Sequence, residues 1–193
     1  PKQSITFSVV MGQSEPADVA RLVTRYRRIE DAQQELRRVQ ATWKTRILDN
    51  IRVETPDCAF DQMMNVWVKY QLYMCNFWSR SPSYYHEGSG GRGYRDSCQD
   101  AEGIMSINAE YAKRKLLKLA TLIRQDGTSA PGWSDTTGPA GHRPNKDHPV
   151  WLTVSVCAYI KETGDAAVLK TRLPYLKDRW IRGWESDPRF TGP

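Results

Sequence analysis

Only one run in this chain alternates as a strand does: residues 4–11, SITFSVVM, stopped by Gly12. A lone strand leaves its backbone groups unpaired and cannot bury a face, so any sheet it joins must come from elsewhere. The other patterned stretches carry apolar residues at helical spacing. Ser14-Glu15-Pro16 sets a cap and a first-turn proline before a helix predicted over 17–27, with Val19, Leu22, Val23 and Tyr26 on one stripe. A second helix is predicted over 31–48, with Leu36, Val39, Trp43 and Ile47 in register. Both stripes are narrow and the other faces strongly charged, the pattern of linker helices.

Thr55-Pro56-Asp57 opens the most apolar helix, 58–78. Its Phe60, Met63, Met64, Trp67, Tyr70, Met74 and Phe77 recur every three to four residues and are expected in the core. Further helices are predicted over 97–106, over 109–124, from Pro149 to a stop at Gly164, and over 166–175. The stretch 125–149 has no periodicity, and loops that long in compact domains are more often functional than idle. Trp180 and Trp184 have no partner element in sight. Helices in succession, with functional-looking loops between alternate pairs, predict an all-α toroid or bundle rather than an α/β fold.

One loop stands out. Residues 77–100, FWSRSPSYYHEGSGGRGYRDSCQD, hold Arg80, Arg92, Arg95, Asp96 and Asp100, with His86, Glu87, Gln99 and several aromatics among glycines. Such a run is too polar for a core and too aromatic for a flexible linker. Guanidinium forks and carboxylates bond vicinal hydroxyls, and flat rings stack on pyranose faces, so the composition suits a sugar-binding cleft.

Other classes fall away. The net charge of +6 is spread over RYRR, ELRR and KRKLLK, interleaved with acids, which describes solvated helix faces and predicts no nucleic-acid partner. No window approaches 18 consecutive apolar residues, so no membrane span is expected. Cys58, Cys75, Cys98 and Cys157 form no C-x-x-C pair and read as buried free thiols in a reducing, cytoplasmic setting. His86, His142 and His148 form no helical ligand pair, so no metal and no cofactor is expected. GSGGRG follows a helix rather than a strand and lacks the G-x-G-x-x-G spacing of a nucleotide loop. PKQSITFSVVMG shows no secretory leader, and its abrupt start is equally compatible with missing upstream sequence.

NVWVKYQ (65–71), SR (79–80), GRGYRDSCQD (91–100), KDHPVWL (146–152) and YIKETGD (159–165), in this order and spacing, resemble glycoside hydrolase family 94, the inverting β-glycoside phosphorylases. The resemblance covers about residues 15–185. It implies the end of an N-terminal β-sandwich at 1–13, a helical linker at 14–50, and the first part of an (α/α)6-barrel catalytic domain at 51–193. The implied reaction is phosphorolysis of a β-linked gluco-oligosaccharide to α-glucose 1-phosphate and a shortened acceptor, with inorganic phosphate as a substrate. A homodimer of the full-length enzyme is compatible with it. Because the family's phosphate pocket also draws on the later barrel, the chain alone is expected to be inactive. A related hydrolase, a cyclic-glucan synthase processing domain and a non-catalytic carbohydrate-binding helical module stay open.

By the same resemblance Asp147 is the general acid, matching the first aspartate of the family's D-D-x-L-W-L run, with His148 replacing the second. Read without it, Asp147 is equally a helix N-cap before Pro149. Arg80, Arg92, Arg95 and Asp96 resemble the donor-subsite group, Arg95 being shared with phosphate; a structural Arg–Asp lattice is the other reading. Gln99 and Asp100 either touch sugar or orient the loop. Trp133 either stacks on an acceptor sugar or is an exposed loop residue without a binding role.

Overall fold

The computed structural model describes residues 3–12, 14–78, 80, 91–134, 138–140 and 147–177. The features read at His86, Glu87, His142, Trp180, Trp184 and the glycines before Gly91 lie outside the described residues. The chain divides into two compact units, Pro1–Asn50 and Ile51–Pro193.

The first unit contains α1 (Pro16–Tyr26) and α2 (Ile29–Trp43), the latter running into a π-helical turn, Lys44–Leu48. Pro16 occupies the first turn as expected, but Glu15 rather than Ser14 takes the N-cap position, and no side chain caps it. Glu35 of α2 binds Arg38 one turn on and reaches Arg25 of α1 at 3.4 Å. The alternating run 4–11 forms no strand here. Ile5, Phe7, Val9 and Met11 are all largely exposed. Alternation makes a strand only where a second edge completes the ladder, and none is paired with it among the described residues.

In the second unit, α3 (Cys58–Gln62), a π-helical segment Met63–Val68 and α4 (Lys69–Trp78) make one continuous helical run. Asp57 caps it, its carboxylate accepting from the Ala59 and Phe60 amides. The expected core stripe is overturned: Phe60, Met63, Trp67, Tyr70 and Phe77 are exposed, Trp67 at 59%. The reason is geometric. The stripe is exposed on both sides of the π-helical segment, and the run packs on the helix at Tyr94–Ile104 through other residues. The buried residues of α4 are instead Lys69 and Asn76.

α5 (Tyr94–Ile104) is the central helix, touching α4, α6 (Ala109–Ala120) and α7 (His148–Thr163). Gly103 permits the close crossing with α4, since a Cβ there would meet Leu72 at 2.6 Å. Asn108 caps α6 through the Tyr111 amide, and Ser155 of α7 donates to Glu102 of α5 at 2.6 Å. α7 stops at Gly164 in the left-handed region, as predicted. The helix read over 166–175 shrinks to a 3-10 turn, Ala166–Lys170.

Two further corrections concern the loops. α5 begins at Tyr94, not Ser97, so the Arg-Asp pair stands on a helix rather than in a loop. The stretch 125–149 contributes β2 (Gly132–Ser134) and β3 (Gly138–Ala140), which join β1 (Arg92–Gly93) in a small antiparallel sheet of order β1-β2-β3, so the mostly helical fold is not purely α. Strands of two or three residues are too short to show a period. Tyr94, Cys98, Leu119, Leu122, Ala130 and Trp133 form the core beneath this sheet. All four cysteines are free, but only Cys98 is buried, while Cys58 and Cys157 are exposed, against the expectation of buried thiols. Burial pushes the Cys98 thiol up to about 12, leaving it unreactive.

Candidate active site

The sheet and core hold the first turns of α5 in place. Arg92 pairs with Trp133 across β1 and β2, and the Tyr94 amide donates to the Pro131 carbonyl at 3.0 Å. Gly93 is the N-cap residue, and a Cβ there would sit 2.6 Å from Asp96 Oδ2. The Asp96 carboxylate therefore lies folded against the start of α5, where the helix dipole favours a negative charge.

Arg80 reaches the first turns of α5 from the end of α4. Its Nε donates to Asp100 Oδ1 at 2.9 Å, Nη1 to Asp96 Oδ1 at 3.2 Å, and Nη2 to Gln99 Oε1 at 3.1 Å. Burial works against the Arg80 charge, but Asp100 and Asp96 hold its pKa above the usual value. Burial pushes the Asp100 carboxyl up, more than Arg80 and Lys115 pull it down. Asn76, buried behind it, donates to the Asp100 carbonyl at 2.6 Å and accepts from Lys115 at 3.1 Å. Arg80, Asp96, Gln99 and Asp100 are thus tied into one lattice.

α7 brings a third carboxylate. Asp147 holds the N-cap position, as one reading of its sequence expected, yet its side chain makes no capping bond. Instead Asp147 Oδ2 accepts from Arg95 Nη1 at 3.3 Å and from Trp151 Nε1, one turn along α7, at 3.2 Å. Arg95 and Asp147 are both about half exposed. Partial desolvation raises the Asp147 carboxyl, but its own amide, Trp151, His148 and Arg95 together hold it below the ordinary carboxylate range. His148 is buried and stacked on Tyr94, ring centroids 5.8 Å apart. Burial holds its imidazole below the usual range, against the pull of Asp147 and Asp96.

Trp133 is neither an exposed platform nor an idle loop residue. It is 3% exposed, donates to Ser97 Oγ at 2.9 Å, and carries the Arg92 guanidinium 4.7 Å above its ring. Arg92 in turn donates to the Phe77 carbonyl at 2.8 Å. Its guanidinium binds the protein's own ring and backbone, as a structural role requires. The structure brings Arg80, Asp96, Gln99 and Asp100 together on one side, and Arg95 with Asp147 on the other. Among the described residues no group of His, Cys, Asp and Glu is arranged to hold a metal, and no helix is long and apolar enough to cross a membrane.

The catalytic-domain model of the glycosyl hydrolase 94 superfamily matches residues 42–180. The chain belongs to this family. Solabiose phosphorylase of Paenibacillus borealis is 32% identical over 189 residues, 96% of this chain and 22% of that protein. N,N'-diacetylchitobiose phosphorylase of Vibrio proteolyticus is 26% identical over 201 residues, 91% of this chain and 25% of its own length. Cyclic beta-(1,2)-glucan synthase NdvB of Rhizobium meliloti (strain 1021) is 29% identical over 175 residues, 91% of this chain and 6% of its own length. The chain therefore spans a quarter or less of each of these relatives.

Sequence reasoning missed Trp151 as a partner of Asp147. The signal was present, because a helix opening at Asp147 places residue i+4 directly above it. Tyr94, buried under His148, carried no such local signal.

Proposed function

We propose that this glycosyl hydrolase 94 chain serves an inverting phosphorylase of β-linked gluco-oligosaccharides, with residues 51–193 as the first part of an (α/α)6 barrel. Residues 14–50 would then be the linker and 1–13 the end of a preceding β-sandwich. The observation that carries the reading is the meeting of Asp147, at the start of α7, with Arg95 and its neighbour Asp96, at the start of α5. A half-exposed carboxylic acid beside a half-exposed guanidinium suits proton donation next to an oxyanion.

In this reading Asp96 accepts from hydroxyls of the donor glucosyl unit and Arg95 is shared with phosphate. A phosphate oxygen attacks the anomeric carbon from the face opposite the leaving group. The glycosidic C–O bond breaks as Asp147 gives its proton to the departing oxygen, and the β-linkage becomes an α-phosphate ester. Only one protein carboxyl is needed, because phosphate is already a nucleophile, whereas an inverting hydrolase needs a second to activate water. Arg80, Gln99 and Asp100 orient the α5 end. The reaction takes no cofactor, and the setting is cytoplasmic. Later barrel helices would complete the phosphate pocket, so the activity belongs to the assembled barrel.

The test is phosphate release from α-glucose 1-phosphate across a panel of acceptor sugars, with wild type and Asp147→Asn. Release by wild type and its loss in the variant support the reading. The match to a cyclic-glucan synthase favours one second reading, a transfer or processing domain. Product formed equally well without phosphate would select that reading.

A further inference from the structure

The partners of the proposed acid pose a problem. A general acid must carry its proton before it acts, yet Asp147 Oδ2 receives both the Arg95 guanidinium and the Trp151 indole N–H, which stabilise the ionised form. Two features show how the site escapes this. The Arg95–Asp147 pair is held by one N–H···O contact of 3.3 Å with both partners about half exposed, a pair that exchanges readily. The Trp151 bond is neutral and lies on the same helix, so it keeps the carboxyl in place whichever partner Arg95 has.

We propose that Arg95 is a substrate-released counter-ion. It helps to hold Asp147 ionised until an incoming tetrahedral oxyanion takes the guanidinium and leaves Asp147 to bind the proton it later donates. This rests on the reading of Asp147 as the acid. The exchange balances: the carboxylate takes one proton, from solvent or from dihydrogen phosphate, and Arg95 keeps its charge while trading a carboxylate for a phosphate oxygen. A guanidinium suits the trade because its fork fits a phosphate bidentately, whereas its contact with Asp147 is a single bond. The oxyanion acts twice in the same direction, by removing a cation from Asp147 and by adding negative charge beside it. The other charged groups are Asp96 beside Arg95 on α5 and His148 beside Asp147 on α7. His148 also draws the Asp147 carboxyl down while burial disfavours its own charge, so its pull remains when Arg95 leaves, and the exchange concerns the Arg95 share alone. Arg80 is tied to Asp96 and Asp100 and does not compete.

The test follows the Asp147 carboxyl by ¹³C NMR through a pH titration, its signal assigned by its absence in Asp147→Asn. Sulfate serves as the probe because it stays a dianion across the range and does no chemistry; chloride at matched ionic strength is the control. Sulfate is expected to move the Asp147 midpoint upward in wild type. Arg95→Gln is expected to raise the midpoint without sulfate and to lose the response. Arg95→Lys, which keeps the charge but not the fork, should keep a low midpoint and respond weakly. A wild-type midpoint that sulfate leaves in place, or moves equally in Arg95→Gln, overturns the proposal. Phosphorolysis retained in Asp147→Asn would instead remove the assignment of the acid, so the two failures are distinguishable.

Discussion

Two arginines serve the first turns of α5, and they are bound in opposite ways. Arg80 directs its guanidinium at Asp100, Asp96 and Gln99, and Asp100 is nearly buried. Arg95, a residue of the helix itself, meets the half-exposed Asp147 across to α7. A multidentate arginine paired with a buried carboxylate builds the scaffold, because moving it strands that carboxylate. A monodentate, half-solvated one is available to a ligand. Arg80 forms an Arg–Asp lattice with Asp96 and Asp100, and Arg95 lies outside it.

The largest expected effect tests the functional side of this contrast. On the phosphorylase reading proposed above, Asp147→Asn in the assembled barrel should lower phosphorolysis of unactivated substrates by about 10²–10⁴-fold, with sugar binding mostly intact, as measured by kcat against KM. Arg80→Met tests the structural side. It strands the Asp100 carboxylate and should cost about 1–3 kcal/mol in urea unfolding, toward the low end because Arg80 is itself 43% exposed. Since burial already pushes the Asp100 carboxyl up, that loss should shrink as acidification protonates it. An Arg80 variant of undiminished stability would erase the distinction between the two arginines.

A smaller effect belongs to His148, which opens α7 and stacks on Tyr94 at the start of α5. Its imidazole is held below the ordinary value of 6.5, so the unfolded chain binds the proton first as pH falls. The stability linked to neutral His148 is complete above that value and declines below it. Thermal unfolding against pH should show this acid-side decline in wild type and a weaker one in His148→Asn. Equal slopes would mean that His148 is not the group titrating. The smallest effect should come from Arg95→Gln, which ought to change unfolding free energy by no more than about 1 kcal/mol. A larger loss would place Arg95 in the scaffold with Arg80.

Much of this was legible because it is local. Proline in the first turn of α1, Asp57 at the start of α3, and the stop at Gly164 are read from neighbours within a turn. The residues of both arginine clusters were named from GRGYRDSCQD and KDHPVWL by family likeness, and the Trp151–Asp147 bond was within reach of an i+4 count. The aromatic stripe of α3 and α4 failed because periodicity shows that residues share a face, not whether a neighbouring element covers that face. Trp133 failed because its burial comes from a two-residue pairing with β1 and from Ser97, more than 30 residues away in sequence.

By itself, then, the amino-acid sequence determined where helices start and stop and which residue types could bind sugar and phosphate, since capping and periodicity act over one or two turns. Only the tertiary structure decided which arginine is scaffold and which faces Asp147. That choice depends on how deeply each partner carboxylate is buried and on which helix ends meet, and contacts spanning 16 to 52 positions set both.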